Sequence, residues 1–132
     1  MSARTVLVVD DDDDVREITS FALEVMGGWT VLDTDRGTKA VGLARDAQPD
    51  LVLLDVMMPD LDGPGTFRLL QQDPRTRGIP VILLTAKAQV GEGRQWDDLA
   101  VLGVIGKPFD PVGLVDEIDR LLASCPSPRL SA

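Results

Sequence analysis

Five polar residues stand at or just beyond the ends of short apolar runs that are far apart in the chain. They are Asp10, Asp11, Asp55, Thr85 and Lys107. Carboxylates suit a hard cation such as Mg²⁺, a lysine supplies a point positive charge, and a threonine supplies a hydroxyl. Brought together, these groups are the parts of a phosphoryl-transfer site, where catalysis is mostly positioning and charge neutralisation.

The candidate nucleophile is Asp55, which ends the apolar run Leu51–Leu54 and is followed by a turn-rich segment. A short continuous apolar run is typical of a strand buried on both faces of a parallel sheet. A carboxylate at the end of such a strand is costly unless a site there needs it. Open α/β sheets bind their ligands at the carboxyl ends of the strands, which is where Asp55 is predicted to lie.

The elements that must position these residues alternate along the chain. Apolar runs predict strands at 5–9, 29–32, 51–54, 81–84 and 104–105, and spacings of three and four predict helices at 15–26, 38–47, 66–72, 94–102 and 111–122. The inward face of the first helix is expected to include Val15, Ile18, Ala22, Val25 and Met26. That of the second helix is expected to include Ala40, Val41, Ala44 and Ala47, and that of the fourth Trp96, Leu99 and Ala100. The alternation predicts an α/β fold with one parallel sheet, right-handed crossovers and helices on both faces.

In a parallel sheet all carboxyl ends lie at one edge, so the five polar residues are predicted to converge there. Each pair of carboxylates at about 4 Å repels by on the order of 4 kcal/mol at an effective dielectric constant near 20. A divalent cation removes that repulsion, and Mg²⁺ suits carboxylate-plus-water coordination. The sequence has no histidine, which excludes His-based catalysis and His-ligated metals.

Composition limits the partners. The 132 residues suit one domain, and the net charge of −9 with 13 scattered Lys and Arg argues against a nucleic-acid surface. No apolar run approaches the roughly 20 residues that span a bilayer, and the N-terminus lacks a signal segment. The single cysteine, Cys125, fits a reducing cytoplasm, and residues 124–132 are predicted to be a disordered tail.

With the pairs Asp10-Asp11, Met58-Pro59, Asp62-Gly63 and Thr85-Ala86, the single Asp55 and the triplet Lys107-Pro108-Phe109, the chain resembles the receiver domain of two-component response regulators. The resemblance covers roughly residues 4–123, and we expect the receiver domain to span 1–123. It implies a flavodoxin-like, doubly wound sheet of five strands in the order 2-1-3-4-5 with five helices.

The resemblance also implies a role for each site residue. Asp55 would accept a phosphoryl group from the phosphohistidine of a sensor histidine kinase or phosphotransfer protein. Asp11 would ligate Mg²⁺ directly and Asp10 mainly through water, and Asp55 and the backbone carbonyl of Met57 would be further ligands. Lys107 would pair with Asp55 or its phosphoryl oxygens, and Thr85 would turn inward to the phosphoryl group. Such a protein promotes its own phosphorylation and dephosphorylation and is not a turnover enzyme.

Two departures from the family pattern bear on function. The family often has Tyr or Phe three residues before the lysine, as a switch coupled to the threonine, and here that position is Val104. Met57 and Lys87 occupy positions that, in the family, flank the phosphoryl group and tune its lifetime. Because an apolar Met57 cannot orient an attacking water, we expect slow autodephosphorylation.

The leading interpretation is a stand-alone receiver, because little chain follows Lys107 and an output domain has no room there. Output would then use phosphorelay or protein–protein contacts, which in the family involve the region 94–122 here. One alternative is a degenerate receiver that binds partners without phosphorylation. Another is a phosphatase of the haloacid-dehalogenase type, which would use Asp10 and Asp12 but leaves Asp55 unexplained.

Overall fold

The computed structural model describes residues 4–58, 61–86, 100–107 and 109–124. Five strands form one parallel sheet in the order β2-β1-β3-β4-β5, which confirms the predicted topology. The strands are β1 (Thr5–Val9), β2 (Thr30–Thr34), β3 (Leu51–Asp55), β4 (Val81–Ala86) and β5 (Gly103–Lys107). The helices that the described residues contain are α1 (Asp13–Val25), α2 (Gly37–Ala47), α3 (Gly63–Gln72) and α4 (Pro111–Ala123).

The sheet is buried on both faces, as the continuous apolar runs predict. Alternate residues of the central strands point to opposite sides. Leu7 and Leu54 join one core cluster, which includes Ala40 and Ala44 of α2 and Phe67 and Leu70 of α3. Val8 and Leu53 join a second cluster, which includes Leu23 of α1 and Leu114, Ile118 and Leu122 of α4. None of the helices in the described ranges combines the length and apolar character needed to cross a membrane.

Helix α1 begins at Asp13, two residues before the predicted start, and it buries a different face from the one expected. Asp12 is the N-cap, and its side chain accepts hydrogen bonds from the backbone N–H groups of Asp14 and Val15. The buried residues are Thr19, Ser20, Ala22 and Leu23. The prediction of an inward face was wrong for Ile18, Val25 and Met26, which are exposed, while Val15 is half-buried. The inner face of α1 thus combines Leu23 with three small side chains, and Ile18, Val25 and Met26 remain outside.

Two element boundaries also differ from the predictions. Helix α3 begins at Gly63 rather than at residue 66, because Asp62 caps it by accepting from the backbone N–H of Gly65 and Pro64 suits the first turn. Strand β2 continues to Thr34 rather than ending at residue 32, and Asp33 and Thr34 pair with Val8 and Val9. The strand extends here because it pairs with β1, although the side chains at these two positions are polar.

The predicted helix at 94–102 falls mostly outside the described residues. Of its members, residues 100–102 precede β5 and are not helical, and Ala100 is exposed rather than buried. In α2, Ala40 and Ala44 are buried as expected, Val41 is half-buried, and Ala47 is exposed because it lies in the last turn. The predicted tail at 124–132 lies outside the described residues except for Ser124, which is the C-cap of α4.

Candidate functional site

The predicted polar residues converge at the carboxyl edge of the sheet. Asp10 directly follows β1, Asp55 ends β3, Thr85 lies near the end of β4, and Lys107 ends β5. Asp10, Asp55 and Thr85 are buried, whereas Asp11 in the loop before α1 is exposed. One carboxylate oxygen from each of Asp10, Asp11 and Asp55 lies within 4.8 Å of the others.

Lys107 bridges two of these carboxylates. Its Nζ lies 2.9 Å from Oδ2 of Asp10 and 3.1 Å from Oδ1 of Asp55. The side chain of Lys107 is itself only 21% exposed. Burial lowers the pKa of Lys107, but the hydrogen bond and charge of Asp10 and the contact with Asp55 outweigh it and raise that pKa. The ammonium is therefore charged at neutral pH and partly neutralises the buried acids.

The loop between β1 and α1 is held by hydrogen bonds to its own neighbours. Oδ1 of Asp10 accepts from the backbone N–H of Asp12 at 3.0 Å. Nη1 of Arg16 donates to the backbone carbonyl of Asp10 at 2.9 Å, and Nη2 donates to Oδ1 of Asp13 at 2.7 Å. Sequence reasoning missed Arg16, whose signal is a lone arginine that closely follows the run of five aspartates at 10–14.

The pKa of Asp55 is raised to about 7. Burial is the largest cause, and the negative charge of Asp10 and a hydrogen bond with Asp11 raise it further. Lys107 acts in the opposite direction through its charge and hydrogen bond, but it does not offset the other effects. Asp55 therefore carries a proton for part of the time at neutral pH unless another cation stabilises its charged form.

This donor set fits a hard divalent cation. Three ionised carboxylates and one ammonium leave two negative charges, which is the charge that Mg²⁺ balances. Oxygen donors are also the ligands that Mg²⁺ prefers. Asp10, Asp11 and Asp55 are the side chains that would hold the ion.

An open cavity of about 640 Å³ gives access to Asp55. Its polar wall contains Asp11, Asp12, Asp55 and Lys107, and its apolar wall contains Val15, Ile18, Met57 and Phe109. The side chain of Met57 is exposed at 65%. The acidic residues therefore lie in a cavity that a phosphoryl donor can enter from solvent, beside an apolar surface.

Thr85 lies on β4, which pairs with β3, and Val104 lies on β5, the edge strand beyond β4. Thr85 is 1% exposed and pairs in register with Gly106, next to the pair formed by Ala86 and Lys107. Val104 is half-buried and packs against the core cluster on the α2 and α3 face. Lys87, the other position expected to tune the phosphoryl lifetime, lies outside the described residues.

Comparison with known proteins identifies the family. Residues 6–119 match the family model of the response regulator receiver domain. This chain belongs to the response regulator receiver family. The identification confirms the resemblance deduced from the sequence motifs and places the chain among the proteins of two-component systems.

Two relatives of this receiver are transcriptional regulators. The chain is 37% identical over 117 residues to the DNA-binding dual master transcriptional regulator RpaA of Synechocystis, covering 89% of this chain and 48% of that protein. It is 37% identical over 122 residues to the phosphate regulon transcriptional regulatory protein PhoB of Pseudomonas aeruginosa, covering 92% of this chain and 53% of that protein. The chain thus spans about half the length of these relatives.

Among solved structures, the chain is similar to the receiver domain of a sensor histidine kinase from Pseudomonas aeruginosa PAO1. The TM-score is 0.82 with 26% identity, over 93% of this chain and 100% of that one. That structure has a magnesium ion coordinated in its active-site cleft. The predicted cofactor, Mg²⁺, agrees with this relative and with the acidic group formed here by Asp10, Asp11 and Asp55.

Proposed function

We propose that this receiver accepts a phosphoryl group on Asp55, in a Mg²⁺-dependent reaction, from the phosphohistidine of a histidine kinase or phosphotransfer protein. The observation that carries the proposal is the position of the Asp55 carboxylate. It lies 3.1 Å from Lys107, shares an acidic group with Asp10 and Asp11, and faces a cavity open to solvent. Proteins of this family act as signalling phosphoacceptors rather than turnover enzymes, and we propose the same here.

In the transfer, an oxygen of the Asp55 carboxylate attacks the phosphorus atom. The bond between phosphorus and the donor's histidine nitrogen breaks, and that nitrogen keeps the electron pair. Asp10, Asp11, Asp55 and the backbone carbonyl of Met57 would hold Mg²⁺, which when bound would supply positive charge near the phosphoryl oxygens. Lys107 already contacts Asp55 and supplies a second positive charge to the same oxygens.

Thr85 is proposed to report the phosphorylated state. Its hydroxyl group lies on the strand adjacent to Asp55, since Leu84 pairs with Asp55 in the register of β3 and β4. A hydrogen bond from Thr85 to a phosphoryl oxygen would draw the end of β4 towards the site. The route beyond Ala86 passes into residues outside the described part, and Val104 supplies no aromatic ring that could move with it.

The structure weighs against the phosphatase alternative. In that reaction Asp12 would have to act beside Asp10, but the Asp12 carboxylate caps α1 by accepting two backbone N–H groups. The degenerate-receiver alternative would require a missing acidic residue or lysine, and Asp10, Asp11, Asp55 and Lys107 are all assembled. Two predictions stay open because the two named relatives are transcriptional regulators about twice as long: the stand-alone arrangement and the absence of nucleic-acid contact. The cytoplasmic location also stays a prediction.

The test is to incubate the protein with acetyl phosphate and Mg²⁺ and to measure its intact mass. We expect one added phosphoryl group, none in Asp55→Asn and none in EDTA, while Asp12→Asn is still labelled. Catalytic turnover of p-nitrophenyl phosphate would instead support the phosphatase. Absence of any adduct in the folded wild-type protein would favour the degenerate receiver.

A further inference from the structure

The loop that carries Asp10 and Asp11 is fixed by a residue outside the acidic group. Arg16 lies on the first turn of α1, and its backbone N–H donates to the carbonyl of Asp12. Side chains on a helix lean towards its N-terminus, so the guanidinium of Arg16 reaches back over this loop. There it donates to the carbonyl of Asp10 and to the carboxylate of Asp13.

The bond to Asp10 acts on the peptide unit that joins the two metal-binding aspartates. Because a peptide unit is planar, holding the carbonyl of Asp10 also holds the N–H of Asp11 and the Cα atoms on both sides. The next peptide unit, between Asp11 and Asp12, is held by the bond from the N–H of Asp12 to Oδ1 of Asp10. The backbone of Asp11 is therefore fixed on both sides, although its side chain is exposed.

The fork of the guanidinium explains why an arginine suits this position. One nitrogen binds a backbone carbonyl and the other binds a carboxylate, which a lysine ammonium cannot match with the same planar geometry. The bond to Asp13 raises the pKa of Arg16 more than burial lowers it. The side chain of Arg16 is 19% exposed, whereas that of Asp13 is 82% exposed, so Asp13 anchors the guanidinium from the solvent side.

We propose that Arg16 is a positioning residue for Mg²⁺, which fixes the peptide between Asp10 and Asp11 so that both carboxylates face Asp55. The inference rests on the proposed function, in which these residues hold the ion. Residues that orient metal ligands without touching the metal commonly change its affinity by about 10-fold to 100-fold when replaced. Simple charge effects predict the opposite sign, since removing a positive charge near a cation site strengthens cation binding.

The decisive variant is Arg16→Lys, which keeps the charge and removes the fork. We expect Mg²⁺ titrations followed by NMR chemical shifts to show about tenfold weaker binding. Arg16→Gln is expected to weaken binding as well, despite the loss of a repelling charge. Arg36→Lys is the matched control, because Arg36 is exposed at the same edge of the sheet and is expected to leave the affinity unchanged.

Two further measurements separate positioning from other roles. Acetyl phosphate labelling of Arg16→Lys should return to the wild-type rate at saturating Mg²⁺, because Arg16 does not contact the reacting atoms. Urea unfolding in EDTA reports any general loss of stability separately from the Mg²⁺ affinity. The proposal is overturned if Arg16→Lys binds Mg²⁺ within twofold of wild type, or if Arg16→Gln binds it more tightly.

These outcomes are distinguishable from a failure of the proposed function. If the wild-type protein binds Mg²⁺ but is not phosphorylated, the proposed phosphoacceptor role fails while the effect of Arg16 on Mg²⁺ affinity can still be measured. If the wild-type protein is phosphorylated and Arg16→Lys binds Mg²⁺ normally, the positioning role fails alone.

Discussion

At the scale of single residues, the proposed function gives the buried carboxylate of Asp55 two competing ligands, a proton and a divalent cation. Its pKa of about 7 arises from burial and from the nearby Asp10, against the opposing effect of Lys107. Because only the ionised form is a good ligand for Mg²⁺, protons and Mg²⁺ compete for the same oxygens. Lowering the pH therefore weakens Mg²⁺ binding.

We predict that Mg²⁺ affinity falls about tenfold between pH 8 and pH 6, since a group with a pKa near 7 is about one-tenth ionised at pH 6. Isothermal titration at the two pH values measures it. In the Asp55→Asn variant, Mg²⁺ binding should be weaker but nearly independent of pH over this range. Equal wild-type affinity at pH 6 and pH 8 would contradict the raised pKa of Asp55.

The raised pKa of Asp55 also makes the stability of the metal-free protein depend on pH. The folded pKa of Asp55 lies above the ordinary value of 3.8, so the folded state binds more protons than the unfolded state between these two values. The stabilisation from this group is therefore present at low pH and is lost as the pH rises through 7. Asp55→Asn should remove this part of the pH dependence.

Most of the site could be predicted from the sequence at this scale. Asp10, Asp55, Thr85 and Lys107 were located because each lies at the end of an apolar run, and parallel strands bring their carboxyl ends together. The contact between Lys107 and Asp10 was not predicted, because spacing along the chain does not say which of two acids a lysine reaches. Arg16 was missed for a similar reason, since its function depends on the direction of its side chain at the start of α1.

At the scale of elements, α1 carries a strip of exposed apolar side chains beside its exposed acidic residues. Ile18 is 51% exposed, Phe21 is 59% exposed and Val25 is 65% exposed, and they lie at helical spacings of three and four. Ile18 also lines the cavity that leads to Asp55, together with Met57. This apolar strip is continuous with the cavity that contains Asp55, so a protein donor of the proposed phosphoryl group is expected to contact it.

We predict that Phe21→Ala slows phosphoryl transfer from a phosphorylated histidine kinase or phosphotransfer protein by about tenfold, as expected when about 1.4 kcal/mol of contact is lost. Labelling by acetyl phosphate should not change, because that donor is too small to touch Phe21. Leu69→Ala is the matched control, since Leu69 is an exposed apolar residue on α3. Equal rates with the protein donor for Phe21→Ala and wild type would exclude this surface.

The start of α3 packs against the end of β3, which carries Asp55, through Gly63. A Cβ at this position would lie 2.7 Å from the backbone oxygen of Asp55 and 2.8 Å from Cα of Val56. The N–H of Gly63 also donates to the carbonyl of Val56 at 3.0 Å. Any larger residue must therefore displace either the helix or the backbone that carries Asp55.

We predict that Gly63→Ala lowers the free energy of unfolding by about 1–3 kcal/mol, the usual cost of overpacking, and slows labelling by acetyl phosphate. Urea unfolding and intact mass measure the two effects. Gly42→Ala is the control, because a Cβ there meets nothing within 4 Å and alanine has a higher helix propensity than glycine within α2. The close packing of Gly63 would be refuted if the two variants were equally stable.

The strands were predicted more accurately than the buried faces of the helices, for physical reasons. The strands were located because a sheet covered on both faces needs continuous apolar runs, and β3 shows this best. The buried face of α1 was predicted wrongly because apolar spacing assigns the largest side chains to the interior. Here Thr19, Ala22 and Leu23 are buried, whereas Ile18, Phe21 and Val25 form an exposed strip. Pattern alone cannot separate a face that packs inside from one that binds a partner.

At the scale of the whole molecule, a net charge of −9 means that any cation stabilises the fold to some degree. Monovalent salt screens the repulsion between acidic residues spread over the surface. Mg²⁺ should act in a second way, by binding the folded state at Asp10, Asp11 and Asp55, which the unfolded chain does not hold together. The specific part follows from mass action and grows with the concentration of Mg²⁺.

We therefore predict that Mg²⁺ at ten times its dissociation constant raises the free energy of unfolding by about 1.4 kcal/mol more than NaCl of equal ionic strength. Urea unfolding of the wild type in the two salts gives this difference. Asp11→Asn should lose the difference, because it removes a ligand, whereas Asp14→Asn removes the same charge from an exposed position of α1 and should keep it.

If NaCl stabilised the wild type as well as Mg²⁺ does, screening alone would explain the effect, and the acidic group would not be a metal site. If Asp14→Asn lost the difference as fully as Asp11→Asn, the effect would belong to the overall charge of the molecule and not to the carboxyl edge of its sheet.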